Sequence, residues 1–257
     1  MEQLYSVMSQ EPKPSSLTTD VARNRLWAAL ITSLRIYHPA REWMRYSYES
    51  FEENPYQPRV AQKVVGLAFL SAVAAWEQFV EHVFFGYMAG AASGSGYSPV
   101  LLLGPCKNRS HALCVLGAAS GGEPTRTLRW NDWAWVTHVA RVFFRSGEPF
   151  SLLDAVSVAR LRDAQVVRNR VAHDSTKARH QFKRCVNALE GEAVDKALPR
   201  GFSPGEFLAN EVPPGCFSSF TVYPAAQHMW GDFFECFASM FFEASVVLSP
   251  TADRPAT

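Results

Sequence analysis

An excess of charge of one sign is missing from this chain of 257 residues. It contains 25 lysines and arginines against 24 aspartates and glutamates, so its formal net charge is only +1. This balance excludes a wholly basic, histone-like nucleic-acid binder, although an uneven distribution can still create a local basic patch. Cysteine is also scarce, with five residues in the whole chain. Their odd number and their scattered positions differ from the paired cysteines of a small disulfide-rich secreted protein. We therefore expect free thiols in a reducing compartment.

A targeting segment and a membrane span are not evident in the sequence. The N-terminal residues lack the basic stretch followed by an apolar stretch that marks a secretory signal. The apolar run at 64–76 is too short to cross a bilayer, and glycines repeatedly break the uncharged run at 83–106. We therefore predict a cytoplasmic protein that does not engage a membrane. Because a Walker-type glycine-rich loop is also missing, NTP hydrolysis is not expected.

Alternation of apolar and polar residues with a period of two, which is typical of half-buried strands, is absent as well. Apolar residues instead recur at helical spacing between proline- and glycine-rich breaks, which predicts an all-α fold, an antiparallel helical bundle. The predicted helices cover residues 21–37, 41–51, 59–88, 132–144, 151–172, 175–190 and 225–248, and residues 191–222 are predicted to be loop.

The predicted domain organisation is simple. Residues 20–249 form a single helical domain, and a loop-rich insertion at about 91–129 has room for one short helix. Residues 1–19 are predicted to be a loose N-terminal tail, and residues 250–257 a C-terminal tail.

Charge is distributed unevenly along the chain. Residues 160–184 carry eight basic and two acidic side chains, whereas residues 190–257 carry three basic and nine acidic ones. One interpretation is two solvated faces that pair with each other. The other is a local phosphate-binding surface on an otherwise neutral protein.

The basic segment contains the sequence VVRNRVAHDS, in which Arg168, Asn169 and His173 form an R-N-x-x-x-H motif. Arginine presents a planar fork of donors to phosphate oxygens, and imidazole side chains transfer protons near neutral pH. Arg168 and His173 lie about 140° apart around an ideal helix, so they would not converge in regular geometry. We therefore expect either that the helix ends near His173 or that a second copy of the chain completes the site.

The motif, its basic setting and the upstream helical sequence LSAVAAWEQFVEHVF together resemble the HEPN family (higher eukaryotes and prokaryotes nucleotide-binding domains). The resemblance covers roughly residues 59–190. Many HEPN proteins are metal-independent ribonucleases with an arginine, an adjacent polar residue and a histidine a few positions later, which matches Arg168, Asn169 and His173. The resemblance implies a HEPN-type bundle that forms a homodimer and needs no cofactor. It also implies an RNA-cleaving toxin or anti-phage effector, restrained by an antitoxin or another regulatory partner.

The implied reaction uses the nucleophile that RNA itself carries, the 2′-hydroxyl beside the scissile phosphate. His173 would remove the proton of this hydroxyl or protonate the leaving 5′-oxygen. Arg168 would stabilise the charge on the pentacoordinate phosphorus, and Asn169 would orient the imidazole or the phosphate. The expected products are a 2′,3′-cyclic phosphate and a 5′-hydroxyl, and DNA should resist cleavage.

Four further residues are candidates for a part in the same site. Arg162, Arg170 and Lys177 are predicted to contact the RNA backbone. Glu77 lies beside the apolar face of its helix, where it would neutralise or position Arg168; simple surface placement is the alternative.

Other interpretations of the sequence stay open. The motif arginine and histidine can be an ion-paired residue and a helix-terminal residue without a chemical role. A non-catalytic HEPN-like module that binds RNA, a nucleotide or a protein would keep the fold and the basic surface. A structural helical adaptor would instead use an exposed apolar surface for assembly. Cys106, His111 and Cys114 match no common zinc spacing, so no metal site is predicted.

Overall fold

A computed structural model describes residues 18–49, 57–119, 129–213, 216–217 and 231–252. These residues form eight α-helices and no β-strand, so the predicted all-α class is confirmed. Two short 3-10 turns at Arg145–Gly147 and Phe150–Leu152 precede the fifth helix. The helices are α1 (Asp20–Glu49), α2 (Gln57–Met88), α3 (Arg109–Ala119), α4 (Trp133–Phe143), α5 (Ala155–Ala172), α6 (Thr176–Leu189), α7 (Pro204–Ala209) and α8 (Phe233–Leu248).

Three helices follow their predicted bounds closely, namely α2, α4 and α6. Two of them begin directly after a residue whose side chain caps the helix. Asp132 precedes α4, and its carboxylate accepts hydrogen bonds from the backbone N–H groups of Ala134 and Trp135. Ser175 precedes α6, and its hydroxyl accepts from the N–H of Ala178 at 3.2 Å. Side-chain oxygens satisfy N–H groups that have no partner within the helix, which fixes where each helix begins.

The prediction that Pro39 separates two helices is wrong, because α1 continues through this residue. Side chains on both sides of the proline are held by contacts with residues around the start of α8. Tyr37 stacks on Phe234 with ring centroids 4.3 Å apart, and Arg41 Nε lies 3.1 Å from Asp232 Oδ2. Tertiary packing therefore maintains the helix despite the hydrogen bond that proline removes. Residues 50 and 51 of the second predicted helix lie outside the described residues.

Two helices begin later than predicted, and an aspartate cap explains each case. The carboxylate of Asp154 accepts from the N–H of Ser157 at 2.7 Å, so α5 starts after this residue. The carboxylate of Asp232 accepts from the N–H of Glu235 at 3.0 Å, at the first residues of α8. Residues 225–230 of the predicted last helix lie outside the described residues.

Helix α7 lies within residues 191–222, where only loop was predicted, so this prediction is wrong. The local signal is a capping box, because the hydroxyl of Ser203 accepts from the N–H of Glu206 at 3.1 Å. Pro204 occupies the first turn, where its missing N–H costs nothing. A helix of six residues is too short to show the apolar periodicity on which the prediction relied.

The chain divides into two compact units. One comprises Met1–Asn24, Phe79–Leu152 and Val246–Thr257, and the other comprises Arg25–Gln78 and Leu153–Ser245. The prediction of a single domain with an insertion stays a prediction.

The core of the first unit is an aromatic cluster around Phe84. Its ring centroid lies 5.3 Å from that of Trp130, 5.1 Å from that of Phe144 and 5.0 Å from that of Phe150. Helix α3 lies within the predicted insertion, of which residues 120–128 are outside the described part. Thr19 and Pro250 were assigned to the tails and are buried. Residues 1–17 and 253–257, the rest of the predicted tails, are not described.

The core of the second unit is built on the aromatic face of α8. Phe234 and Phe237 both contact the ring of Phe69, with centroids 5.6 and 5.4 Å apart. Trp76 stacks on Phe241 at 5.3 Å. These four phenylalanines are at most 1% exposed, so their burial supplies much of the hydrophobic stabilisation of this unit.

The apolar run at 64–76 belongs to the longer helix α2. By length and composition alone, Pro58–Met88 could cross a membrane, since its most apolar window has a mean hydropathy of 1.4. Half of that window is buried inside the protein, and core helices of soluble proteins pass the same test. The lack of membrane contact stays a prediction.

Gly205 brings the backbone of α7 against that of α2. A Cβ atom at this position would lie 1.8 Å from the carbonyl oxygen of Gln62. We expect Gly205→Ala to lower the free energy of unfolding by about 2–3 kcal/mol, because one helix backbone must move to relieve the clash. Urea denaturation measures this loss. Gly104→Ala is the matched control, because a Cβ there meets nothing within 4 Å; equal losses for the two variants would contradict the packing argument.

Candidate functional site

The R-N-x-x-x-H motif lies at the C-terminal end of α5. The helix ends at Ala172, and His173 follows with an extended backbone at φ −136° and ψ 135°. The N–H of His173 donates to the carbonyl oxygen of Asn169 at 2.9 Å, which completes the last turn. The expectation that the helix ends near His173 is confirmed. Because this residue has left the helix, the separation calculated for an ideal helix does not fix where its side chain points.

The motif side chains differ in their access to solvent. His173 is exposed, whereas Arg168 and Asn169 are half-buried. A histidine buried in the interior would have been incompatible with proton transfer to an RNA strand. The imidazole can therefore be reached by a large substrate.

Arg168 is held between two neighbours. Its Nη1 donates to Asn169 Oδ1 at 3.2 Å, and its Nε lies 3.8 Å from Glu77 Oε1 on α2. Both the Nε and the Oε1 atom are buried, and within the described residues neither makes a hydrogen bond. The structure thus places Glu77 beside Arg168, as the supporting role requires.

The charge of Glu77 is affected by both burial and its neighbour. Loss of water around the carboxylate raises the pKa of Glu77, and the positive charge of Arg168 opposes this rise. The carboxylate at 22% exposure and the guanidinium at 25% exposure thus compensate for each other's partial burial.

Asp174, the residue after His173, pairs with an arginine of α5 and with an arginine of α6. Arg170 Nη1 lies 2.9 Å from Asp174 Oδ1 and also donates to the carbonyl oxygen of His173 at 3.4 Å. From α6, Arg179 donates to both carboxylate oxygens at 2.9 and 2.5 Å. Hydrogen bonds from Arg179 are the main cause of the lowered pKa of Asp174. This bridge links the last turn of α5 to the first turn of α6 at the surface.

The three predicted RNA-backbone contacts are not equivalent. Arg162 and Lys177 are exposed, and neither forms an ion pair with any residue that the structure describes. Arg170 is half-buried and shares the carboxylate of Asp174. Arg162 and Lys177 therefore offer more available positive charge than Arg170 does.

The two oppositely charged segments do not neutralise each other through side-chain ion pairs in the described part of the chain. Arg160 pairs with Asp163 at 2.7 Å, inside the basic segment, as Arg170 and Arg179 pair with Asp174. Lys183 Nζ does reach the acidic segment, where it donates to the backbone carbonyl of Asp195 at 2.7 Å and not to a carboxylate. The surface around α5 and α6 thus keeps unpaired basic side chains.

The described residues contain no metal centre at the cysteines or at His111. All five cysteines are free thiols, and no group of three or more histidine, cysteine or acidic side chains is placed to hold a metal ion in the ranges described. His111 Nδ1 accepts from the N–H of Lys107 at 3.1 Å. Burial raises the pKa of the Cys106 thiol, which disfavours a thiolate nucleophile there.

A cavity of about 210 Å³, which the sequence analysis missed, adjoins the end of α5. We call it the α2–α5 cavity. It is lined by Arg59 and Lys63 of α2, by Arg170 and Val171 of α5, and by Ser203 before α7, among others. The sequence signal was the pair of basic residues one turn apart at the start of α2, but only tertiary packing brings them to α5.

Comparison of the chain with protein-family models, with curated proteins and with solved structures gives no match. The HEPN resemblance is thus carried by the motif at the end of α5, its basic setting and the sequence of α2.

Proposed function

We propose that this chain is a HEPN-type endoribonuclease that acts as a homodimer and cleaves RNA without a metal ion. The observation that carries this proposal is the exposed imidazole of His173 at the end of α5, in a motif whose Arg168 is held by Glu77 and Asn169. The all-α fold is compatible with a HEPN bundle. A cytoplasmic toxin or anti-phage effector, controlled by an antitoxin or another regulator, is the corresponding biological role.

The proposed reaction forms a bond between the 2′-oxygen and phosphorus and breaks the bond between phosphorus and the 5′-oxygen. One base must take the proton of the 2′-hydroxyl, and one acid must protonate the 5′-oxygen. Each chain supplies one motif imidazole, so two copies would supply both groups through His173 and the partner subunit's His173. Two facing sites would thus explain why the active unit is a dimer.

The motif arginine stabilises the charge that develops on the phosphorane oxygens. Asn169 accepts a hydrogen bond from the guanidinium, so we assign it as a positioning residue for Arg168. Glu77 acts in the same way from α2, at 3.8 Å. Arg162, Lys177 and Arg170 hold the neighbouring phosphates of the strand.

RNA cleavage in the presence of EDTA tests this function. The wild-type chain should cleave an RNA oligonucleotide to products with a 2′,3′-cyclic phosphate and a 5′-hydroxyl, identified by mass spectrometry. DNA of the same sequence is the control and should remain intact, because it lacks the 2′-hydroxyl. Intact RNA, or equal cleavage of RNA and DNA, would contradict the proposal.

The mass of the protein in solution tests the dimer separately. We expect size-exclusion chromatography with light scattering to give twice the 28.7 kDa of the chain, because one chain supplies only one motif imidazole. A monomer that cleaves RNA at full rate at every concentration would contradict the two-copy site.

A second candidate function is a non-catalytic module that binds RNA or a nucleotide. The observation behind it is the available positive charge of Arg162 and Lys177, which are exposed and form no ion pair with the residues that the structure describes, because such side chains can bind phosphates without taking part in bond cleavage. This alternative predicts RNA binding that weakens with salt and leaves the RNA uncut.

A further inference from the structure

The lining of the α2–α5 cavity has an apolar part and a basic part, which we call its floor and its rim. Leu67 and Val171 contribute apolar side chains, and Gly66 lies between α2 and α5, with the position of its missing Cβ 3.5 Å from Val171. Arg59, Lys63 and Arg170 supply the positive charges. Such a lining suits a ligand with one apolar, planar part and one anionic part.

The basic rim is only partly neutralised. Arg59 and Lys63 are exposed and lie one turn apart on α2, and neither forms an ion pair with the residues that the structure describes. Like charges at this spacing repel each other, so the pair is a cost to the helix unless an anion binds. Arg170 already shares Asp174, which leaves Arg59 and Lys63 as the main anion ligands.

The part of the cavity wall formed by Gln62 and Ser203 is held by side-chain hydrogen bonds. The hydroxyl of Ser203 donates to Gln62 Oε1 at 3.1 Å, and Gln62 Nε2 donates to Glu206 Oε2 at 3.4 Å. Gly205 places α7 against the backbone of α2. The cavity is therefore a formed feature of this unit, and ligand binding requires little rearrangement.

The volume limits the occupant. About 210 Å³ is less than the roughly 300–1,000 Å³ of pockets that take drug-sized ligands. A single ring system therefore fits inside, with its charged group at the rim. A nucleobase on the apolar floor with its phosphate at the rim meets both conditions, whereas inorganic phosphate leaves the floor unused.

We infer that the α2–α5 cavity holds one nucleotide of the RNA, with its base on the floor and its phosphate at Arg59 and Lys63. This inference rests on the proposed function and adds a specificity subsite to it. Arg170 lines the cavity and also donates to the carbonyl oxygen of His173, so the subsite and the motif imidazole share the last turn of α5. A base held here selects which phosphodiester reaches the imidazole.

Binding of nucleoside monophosphates to the full chain, measured by isothermal titration calorimetry, tests the subsite. We expect at least one of AMP, GMP, CMP and UMP to bind, and Arg59→Ala/Lys63→Ala to weaken it by about 10-fold or more, because both charged donors are lost. The matched control is Arg25→Ala/Arg35→Ala, which removes two exposed charges from α1 and should change affinity less than twofold. The corresponding nucleoside and inorganic phosphate should each bind more weakly than the monophosphate.

Equal weakening by both double variants, or no binding of any monophosphate, would overturn the subsite. RNA cleavage separates this failure from a failure of the nuclease proposal. Wild-type protein that cleaves RNA, with an unchanged base preference in Arg59→Ala/Lys63→Ala, would keep the nuclease and reject the subsite. Nucleotide binding that depends on Arg59 and Lys63 in a protein that does not cleave RNA would keep the cavity as a nucleotide site and reject the nuclease.

Discussion

Arg168→Ala is expected to lower the rate of RNA cleavage by about 10²–10³-fold, the effect typical of losing one charged group that stabilises a transition state. Arg168→Lys keeps a positive charge but loses the planar fork, so its rate should fall between those of the alanine variant and the wild type. Single-turnover cleavage of an RNA oligonucleotide in EDTA measures both rates. A wild-type rate for Arg168→Ala would remove this residue from the site.

Glu77 complicates the alanine variant, and a second substitution corrects for it. Burial raises the pKa of the half-buried Glu77 carboxylate, and the positive charge of Arg168 opposes this rise. The alanine variant lacks that opposing charge. The variant Arg168→Ala/Glu77→Gln removes both charges together. We expect it to unfold at a higher urea concentration than Arg168→Ala alone and yet to remain equally poor at cleaving RNA. Recovery of cleavage in the double variant would mean that Arg168 acts only through the fold.

Asp232→Ala is expected to lower the free energy of unfolding by about 3–5 kcal/mol, because it breaks a buried ion pair and leaves one partner uncompensated. Asp232 is 0% exposed, and its Oδ2 lies 3.1 Å from Arg41 Nε. Its Oδ1 also accepts the N–H of Glu235 at the first turn of α8. Urea denaturation at pH 7 measures the loss. Asp232→Asn keeps an oxygen for the cap and should cost less; an equal loss for the two variants would show that the cap contributes nothing beyond the ion pair.

The pH dependence of stability provides an independent test of the same residue. Burial raises the pKa of Asp232 to about 6, with the charge of Glu235 adding to the rise, and Tyr37, the N–H of Glu235 and Arg41 opposing it. The folded protein therefore binds this proton more tightly than the unfolded chain does. The contribution to stability is present at low pH and is lost as pH rises through about 6.

Unfolding midpoints of the wild type and of Asp232→Asn, compared between pH 4.5 and 7.5, measure this effect. The amide does not titrate, so the wild type should lose stability relative to the variant as pH rises across that window. A difference that stays constant with pH would contradict the raised pKa of Asp232.

Local signals were enough to predict most helices. The caps at Asp132 and Ser175 lie next to the residues that they cap, and the apolar spacing in α2 repeats over many turns. The errors at Pro39 and at α7 arose where tertiary contacts or a very short element decided the outcome. Stacking of a side chain against α8, for example, cannot be inferred from the sequence around the proline.

In the candidate site too, features set by local sequence were predicted, and features set by tertiary contacts were left open or missed. The end of α5 beside His173 lies two residues before Ser175, the cap of the next helix, so local sequence determines it. The contact between Glu77 and Arg168 was a hypothesis until α2 and α5 were seen together. The α2–α5 cavity was not predicted, because it depends on three elements that are distant in the chain and on the close approach at Gly205.

RNA cleavage by His173→Ala in EDTA, beside His180→Ala, addresses the proposed chemistry most directly. Both histidines are exposed, but His180 lies on α6 outside the motif. Loss of a general acid–base group typically costs about 10²–10⁴-fold. We predict a loss of this size for His173→Ala and a wild-type rate for His180→Ala. Equal rates for the two variants would contradict the proposal that the imidazole of His173 transfers the protons in RNA cleavage.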